Sequence, residues 1–258
     1  IEKEMFLGAA IKHLQKKDFK KLSIDLPSLQ EQKRIVAKLD ECFEAIEKAR
    51  ANVEKNLNNA KELFQSQLNN IFSQKGEMWN IMELGSLIHE LTDYHANGSY
   101  KILKKNVTII KTEDYAWMIR STDFENNFNN DFRYIGKKSY DFLKKSKVFG
   151  GELIISKIGN AGKVYLMPEI DRPCSLAMNL FLLRVNMDIA NSKYLFYYLK
   201  TFEGENQILS RLKGTTTKTI TKANVRSISI PLPSFQNQLQ IVKKLDELKS
   251  QTQSLESS

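Results

Sequence analysis

The stretch Leu22–Cys42 reads LSIDLPSLQEQKRIVAKLDEC, and Ile228–Leu248 reads ISIPLPSFQNQLQIVKKLDEL. The two align without a gap at an offset of 206 residues and are identical at 13 of 21 positions. A weaker match continues upstream, where Gly8–Leu14 lies against Gly214–Ile220. Solenoid repeats recur every ~20–50 residues as single supersecondary units, so this spacing is too long for a solenoid. It fits a duplicated module made of a whole domain and its connector. Ile1 aligns with the tail of such a domain, so the chain is expected to open inside one repeat and stop inside the next. Truncation and cleavage would each account for that.

Both copies share one local grammar. A β-type run (Leu22, Ile24, Leu26; then Ile228, Ile230, Leu232) ends at Leu-Pro-Ser. Proline stops the strand, serine is a good N-cap, and Ser28 followed by Glu31 is a capping box for a helix. After Ser28 neither Pro nor Gly occurs until Gly76. Apolar residues recur at Ile35, Leu39, Cys42, Ile46, Ala49 and Val53, and the seam then slips to Leu57, Ala60, Phe64, Leu68 and Ile71. This heptad with a stutter predicts a helix of about 45 residues, roughly 65 Å long. The second copy offers the same seam in Ile241, Leu245, Leu248 and Leu255, and the two helices are expected to pack together. A generic coiled-coil spacer is the plainer reading of an isolated heptad stretch. The repeated strand–LPS–helix junction favours a dedicated two-domain scaffold.

The net charge of +9 is unevenly placed. Residues 76–226 carry 22 Lys and Arg against 16 Asp and Glu, whereas 227–258 balance at three each. A basic domain suits nucleic acid, although many basic proteins bind none. No apolar run approaches the ~18–20 residues that span a bilayer, and Ile1–Ala10 has no secretory h-region. Cys42 and Cys174 make a poor disulfide framework, so a reduced, cytoplasmic chain is expected. His13, His89 and His95 have no metal-ligand spacing, and no metal is expected.

The block after Gly76 mixes periods. Strand-like runs fall at Val107–Ile110, Ala116–Ile119, Leu153–Ile158, Val164–Met167 and Leu180–Val185, and helical runs at Lys137–Lys145, Lys193–Phe202 and Glu205–Lys213. The fold class is α+β, one mixed domain of about 150 residues. Four of its segments are candidates to meet nucleic acid: a strand and polar turn with Arg120, Ser121 and Thr122; a glycine loop with Lys157, Asn160 and Lys163; the approach to a strand at Asn179; and Lys213, Thr215, Thr216 and Lys218. Lysine and arginine neutralise phosphates, and small polar groups fix register. Arg120 could pair with guanine, and Asn160 or Asn179 with adenine, in the major groove. Each segment also has a bland reading. Gly159 and Gly162 suit a bare hairpin turn, Gly214 a helix cap, and Lys137, Lys138, Lys144, Lys145 and Lys147 a solvated face. There is no phosphate-cradling Gly-x-x-x-x-Gly-Lys-Ser/Thr loop, no Asn-Pro-Pro-Tyr or Asp-Pro-Pro-Tyr tetrapeptide, and no convincing nuclease metal site. No catalytic constellation is expected.

With these motifs the chain resembles the type I restriction–modification specificity subunits. The strongest match is the junction seen twice, Ile24–Val36 and Ile230–Val242. Trp79–Gly85 is similar to the opening of a recognition domain in that family, and Gly151–Ser156 with Gly159 and Gly162 to its central segment. The resemblance implies residues 1–27 as the tail of a first target-recognition domain and 28–75 as a spacer helix. It further implies a second recognition domain over 76–233 and the start of a second spacer helix over 234–258. The long helices would form an antiparallel pair through Ile35, Leu39, Ile46, Val53, Leu57, Phe64, Ile241, Leu245 and Leu248. Such a subunit is not an enzyme. It reads half of a bipartite double-stranded DNA target per domain and scaffolds methyltransferase subunits, which carry S-adenosylmethionine; a translocating restriction subunit joins them. Against that pattern the sequence is expected to hold only a tail of the first domain, and a homodimer would restore two-fold symmetry. Two other readings stand beside it: a coiled-coil interaction protein with a peptide- or protein-binding central domain, and a specificity segment of a fused restriction–methylation enzyme.

Overall fold

The computed structural model describes residues 6–7, 13–14, 24–74 and 79–256. Gly8, Leu22, Gly76 and most of the expected first-domain tail lie outside the described residues, as does the side chain of Leu255. The chain divides into two compact units, Ile1–Asn56 and Leu57–Ser258.

In the first unit, β1 (Phe6–Leu7) pairs antiparallel with β2 (His13–Leu14). Helix α1 begins at Leu29 and continues into the second unit, ending at Ser73, 45 residues in all. Its start follows the cap signal: the Ser28 hydroxyl accepts the Glu31 N–H at 3.3 Å, and the Gln32 amide donates to the Pro27 carbonyl at 2.7 Å. Solvent-facing pairs one turn apart, Glu31–Arg34, Lys38–Glu41 and Glu44–Lys48, line the helix. The seam residues Ile35, Leu39, Ile46 and Val53 are exposed.

The second unit starts inside α1, earlier than the glycine at 76 suggests. Leu57 and Phe64 are half-buried, and Leu68 and Phe72 are core residues. After α1 come β3 (Asn80–Glu83), β4 (Ile88–Asp93), α2 (Tyr100–Asn106), β5 (Ile109–Ile110), β6 (Ala116–Ile119), α3 (Ser121–Glu125), β7 (Tyr134–Ile135), α4 (Lys137–Phe142), β8 (Lys147–Val148), β9 (Leu153–Ser156), β10 (Val164–Leu166), β11 (Cys174–Leu176), β12 (Leu180–Val185), α5 (Ser192–Leu199), α6 (Phe202–Leu209), α7 (Lys222–Arg226), β13 (Ser229–Leu232) and α8 (Phe235–Glu256). One sheet has the order β10-β9-β12-β4 and is antiparallel throughout. The other has the order β5-β7-β6-β11-β8, with β6 and β11 parallel. β13 pairs with β3. The α+β class holds.

The strand β12 shows why the two sheets stack. Successive side chains of a strand point to opposite faces. Leu180 and Leu182 join Ile119, Val148, Ile154 and Leu176 on the side of the five-stranded sheet. Phe181 and Leu183 join Leu153, Ile155 and the helices. A strand apolar on both faces has to be central in the sheet, and it is. On the helical side, Phe72 packs against Tyr194 and Tyr198 at ring separations of 5.3 and 5.6 Å, and Phe64 lies against Tyr197. From the other flank, Leu245 and Val242 are buried and Ile241 and Leu248 half-buried in the same cluster. The end of α1 and α8 thus both lean on α5.

Several boundaries moved from the sequence reading. The strand expected over Val107–Ile110 is reduced to its last two residues, because α2 extends to Asn106. The helix expected over Glu205–Lys213 starts three residues earlier, where the Thr201 hydroxyl caps it by accepting the Gly204 N–H at 3.0 Å. The turn after β6 is the short helix α3, whose Asp123 carboxylate accepts the Arg120 N–H at 2.7 Å.

Leu39 and Leu245 occupy the same repeat position with opposite burial, 48% and 0% exposed. Leu245→Ala is expected to cost about 2–5 kcal/mol and Leu39→Ala less than about 0.5 kcal/mol in urea denaturation of the chain. Equal losses would contradict this burial.

Candidate nucleic-acid interface

The hairpin between β9 and β10 is closed by the Ser156 N–H to Lys163 carbonyl bond at 2.9 Å and the Gly162 N–H to Ser156 carbonyl bond at 2.7 Å. Gly159 and Gly162 have φ of +83° and +88°, a region that side chains disfavour, and a Cβ at Gly162 would come within 2.5 Å of Ile208. The glycines therefore do shape the turn, and they set Asn160 exposed at its tip. The second loop is pinched shut by reciprocal Lys213–Thr219 backbone bonds of 2.9 and 2.8 Å. Gly214 (φ +98°) serves this loop and not a helix cap, since α6 has already ended at Leu209. Thr215, Thr216 and Lys218 project from it, exposed. The first-copy strands pair Leu7 with His13, the positions 206 residues before Lys213 and Thr219, so the repeat extends to this loop's base.

Backbone contacts join all four candidate segments. Ile158 bridges Thr219, and the Ile220 N–H donates to the Lys157 carbonyl at 3.1 Å. The Lys157 N–H donates to Asn179 at 2.8 Å, and the Ala177 N–H to Ile119 at 2.8 Å, next to Arg120. Arg120, Ser121, Thr122, Arg133, Met178 and Asn179 line one open cavity of about 370 Å³. Segments up to about 100 residues apart in sequence thus form a continuous polar edge.

The charges sit differently from the expectation. Arg120 does not extend freely. Its Nη2 meets Asp123 at 2.6 Å and its Nη1 meets Asp131 at 3.5 Å. Its hydrogen bonds to the Asp123 carboxylate foremost hold the guanidinium pKa above its usual value. Lys157 is mostly buried and pairs with Asp93 at 3.0 Å, while Lys222 reaches the same carboxylate at 3.4 Å. Burial pushes the Asp93 pKa upward, but the two lysines outweigh it and hold the carboxyl below the ordinary range. Lys163 pairs with Glu125 at 2.9 Å, and the Tyr165 hydroxyl donates to the same carboxylate at 2.6 Å. That hydroxyl first, and Lys163 second, lower the Glu125 pKa. Lys213 and Lys218 have no side-chain partner among the described residues.

Sequence reading missed Arg133, Asp93 and Lys222. Arg133 pairs with Asp131 at 2.6 Å beside the cavity. The neighbouring backbone takes positive φ at Asn127, Phe128 and Asp131, where Phe128 is held by Phe124 in an edge-on contact. Strain of this kind is stored where surrounding contacts over-determine the loop. Of these features only the Arg120–Asp123 spacing carried a local signal. The face offers amides, hydroxyls and two ammonium groups that are unpaired among the described residues, suited to a polyanion with base edges. Among the described residues, no group of three His, Cys, Asp or Glu side chains is placed to hold a metal ion, and no helix is long and apolar enough to cross a membrane. Cys174 is free and buried, and burial raises its thiol pKa to about 12.

The family model for the type I restriction modification DNA specificity domain matches residues 2–55 and 76–257. The EcoBI specificity subunit of Escherichia coli is 21% identical over 96% of this chain and 56% of its own length. The MjaVIII specificity subunit of Methanocaldococcus jannaschii is 24% identical over 95% of the chain and 61% of its own length. The chain therefore spans less than two thirds of these relatives. A chain from a structure on complex assembly and conformational transition of the type I R-M system shares the fold, with a TM-score of 0.67 at 22% identity, covering 96% of this chain and 59% of that one. The HsdS subunit from Thermoanaerobacter tengcongensis does so at 0.59 and 22% identity, over 98% of this chain and 59% of its own. With the duplicated junction, this fold and a family match over most of its length, the chain belongs to the type I restriction–modification DNA specificity family.

Proposed function

We propose that the chain is a non-catalytic reader of double-stranded DNA, recognising one half of a bipartite target for a type I restriction–modification complex. The observation that carries this reading is the convergence of four separated polar segments on one edge. Lys213 and Lys218 are exposed there with no side-chain partner among the described residues, and Asn160 and Asn179 are exposed. The lysines and threonines suit phosphate contacts that set position, and the asparagine amides suit adenine edges that set sequence. Methylation and restriction then belong to partners: methyltransferase subunits carrying S-adenosylmethionine, and a translocating restriction subunit. The exposed stripe Ile35–Leu39–Ile46–Val53 is the surface for a second long helix, supplied within the complex or by a second copy of the chain in a homodimer. A helix that displays such a stripe also suits the runner-up reading, a coiled-coil interaction protein, which predicts no salt-dependent DNA binding.

Two experiments test the proposal. Lys213→Ala with Lys218→Ala should weaken binding to all duplexes alike and reduce the salt slope by about 1.8. Asn160→Ala or Asn179→Ala should instead relax preference at one base pair, at a cost of about 1–3 kcal/mol. Identical behaviour of the two classes would sink the division of labour. Separately, four residues inserted between Lys38 and Lys55 lengthen the helix by about 6 Å. Methylome sequencing of cells carrying the variant with its partners should show a spacer altered by roughly one or two base pairs at about 3.4 Å per step, with both half-sites unchanged. An unchanged spacer in a functional complex would remove the helix as a ruler.

A further inference from the structure

Five of the seven cations along the candidate edge are matched to a carboxylate. Arg120 and Arg133 share Asp131, and Arg120 also binds Asp123. Lys163 is held by Glu125. Asp93, at the end of β4, binds Lys157 and Lys222 together, and both ammonium groups sit over the ring of Phe181 at 5.5 and 5.9 Å. The carboxylates come from three separate places in the chain, yet each reaches a cation of this one edge. Seven cations of the edge thus face four carboxylates, leaving a formal +3, of which Lys213 and Lys218 supply two.

We infer that Asp93 and Glu125 are specificity-determining residues: they mask cations that would otherwise attract any phosphate backbone. The inference rests on the DNA-reading proposal above. Stability alone does not account for the Lys163–Glu125 pair, in which both side chains remain well exposed, since such pairs contribute little to folding. For a polyanion the same pair matters more. Every cation left free to neutralise a phosphate releases counterions and adds sequence-independent affinity, whereas a cation already paired adds less. Non-specific sites vastly outnumber targets, so a reader gains discrimination when its generic attraction is held low. Asp93 has a second consequence. Lys157 lies at the root of the Asn160 hairpin and Lys222 just beyond the threonine loop, so one carboxylate masks two cations and ties the two reading loops together.

The test compares the full chain, together with its methyltransferase partner, as wild type, Asp93→Asn and Glu125→Gln. Binding to random-sequence duplex DNA is titrated over roughly 50–200 mM salt, and sequence preference is read by selection from the same random pool. Glu125→Gln frees the exposed Lys163, and Asp93→Asn frees the half-buried Lys222 together with Lys157. The expected result is a salt slope steeper by about 0.9 and random-duplex binding about eightfold tighter at 0.1 M salt, with weaker enrichment of the preferred sequence. An unchanged slope, or a uniform loss of affinity for all duplexes, overturns the inference. If thermal melting shows that Asp93→Asn does not fold, Glu125→Gln decides alone, because its pair is exposed. Wild type that shows neither salt dependence nor sequence preference overturns the DNA-reading proposal itself, a result separate from unchanged variants of a wild type that does bind.

Discussion

The side chain of Gln238 is fully buried where β13 gives way to α8, and the rest of the second unit is arranged around it. Its amide nitrogen donates to the carbonyls of Ile189 and Pro233, both at 3.1 Å, and its oxygen accepts the Asn191 N–H at 2.9 Å. A buried amide left unpaired costs about 1–3 kcal/mol, so the start of α8 is held where all three partners are in reach. Asn191 acts in two directions, because its own side chain caps α5 by accepting the N–H groups of Lys193 and Tyr194. One turn pair further along, Asp246 receives the Tyr197 hydroxyl and Lys193, both at 2.6 Å, and fixes the rotation of α8 against α5. The register of the whole helix follows from this short polar seam.

From that seam the constraint passes to the sheets. α5 lies between α8 and the end of α1, and its tyrosines fill the space against Leu153, Phe181 and Leu183. The strands β9 and β12 are apolar on both faces and carry the constraint through to the five-stranded sheet on the other side. Loops at the ends of central strands are then held by rigid neighbours. The hairpin after β9, the approach to β12 and the segment after β6 are all such loops, which is why residues so distant in sequence share one edge.

What the sequence revealed follows the range of each interaction. The helix Leu29–Ser73 was legible because its determinants are local: a serine cap, no breaker and a heptad stripe. The hairpin was legible from two glycines, and β12 from six consecutive apolar or amphipathic residues. The strand Ile88–Asp93 was not, because its sequence IHELTD alternates weakly and its pairing with β12 is long-range. The candidate face was legible as four segments but not as one surface. Its charges were the least legible of all: Asp93 is 64 residues from Lys157, and no spacing rule links them. The ion pair of Lys157 was illegible for that reason, whereas that of Arg120 with Asp123 lies three residues away.

The repeat separates local from tertiary causes within one molecule. Gln32 and Gln238 are the same residue in the same motif, and each donates to the carbonyl of the proline five positions earlier. Ser28 and Ser234 cap their helices at the same 3.3 Å. That much of the junction forms from sequence alone. The remainder, comprising the Ile189 and Asn191 bonds of Gln238, the Tyr197 and Lys193 bonds of Asp246 and the burial of Leu245, comes from residues that for these bonds lie 47 to 53 positions upstream. Gln32, Asp40 and Leu39 carry the same side chains and are not buried. Identity of sequence therefore specifies a cap and a helix, while burial is specified by what packs on it. A duplicated scaffold can on this principle keep its junction chemistry fixed while the surfaces displayed beyond it diverge.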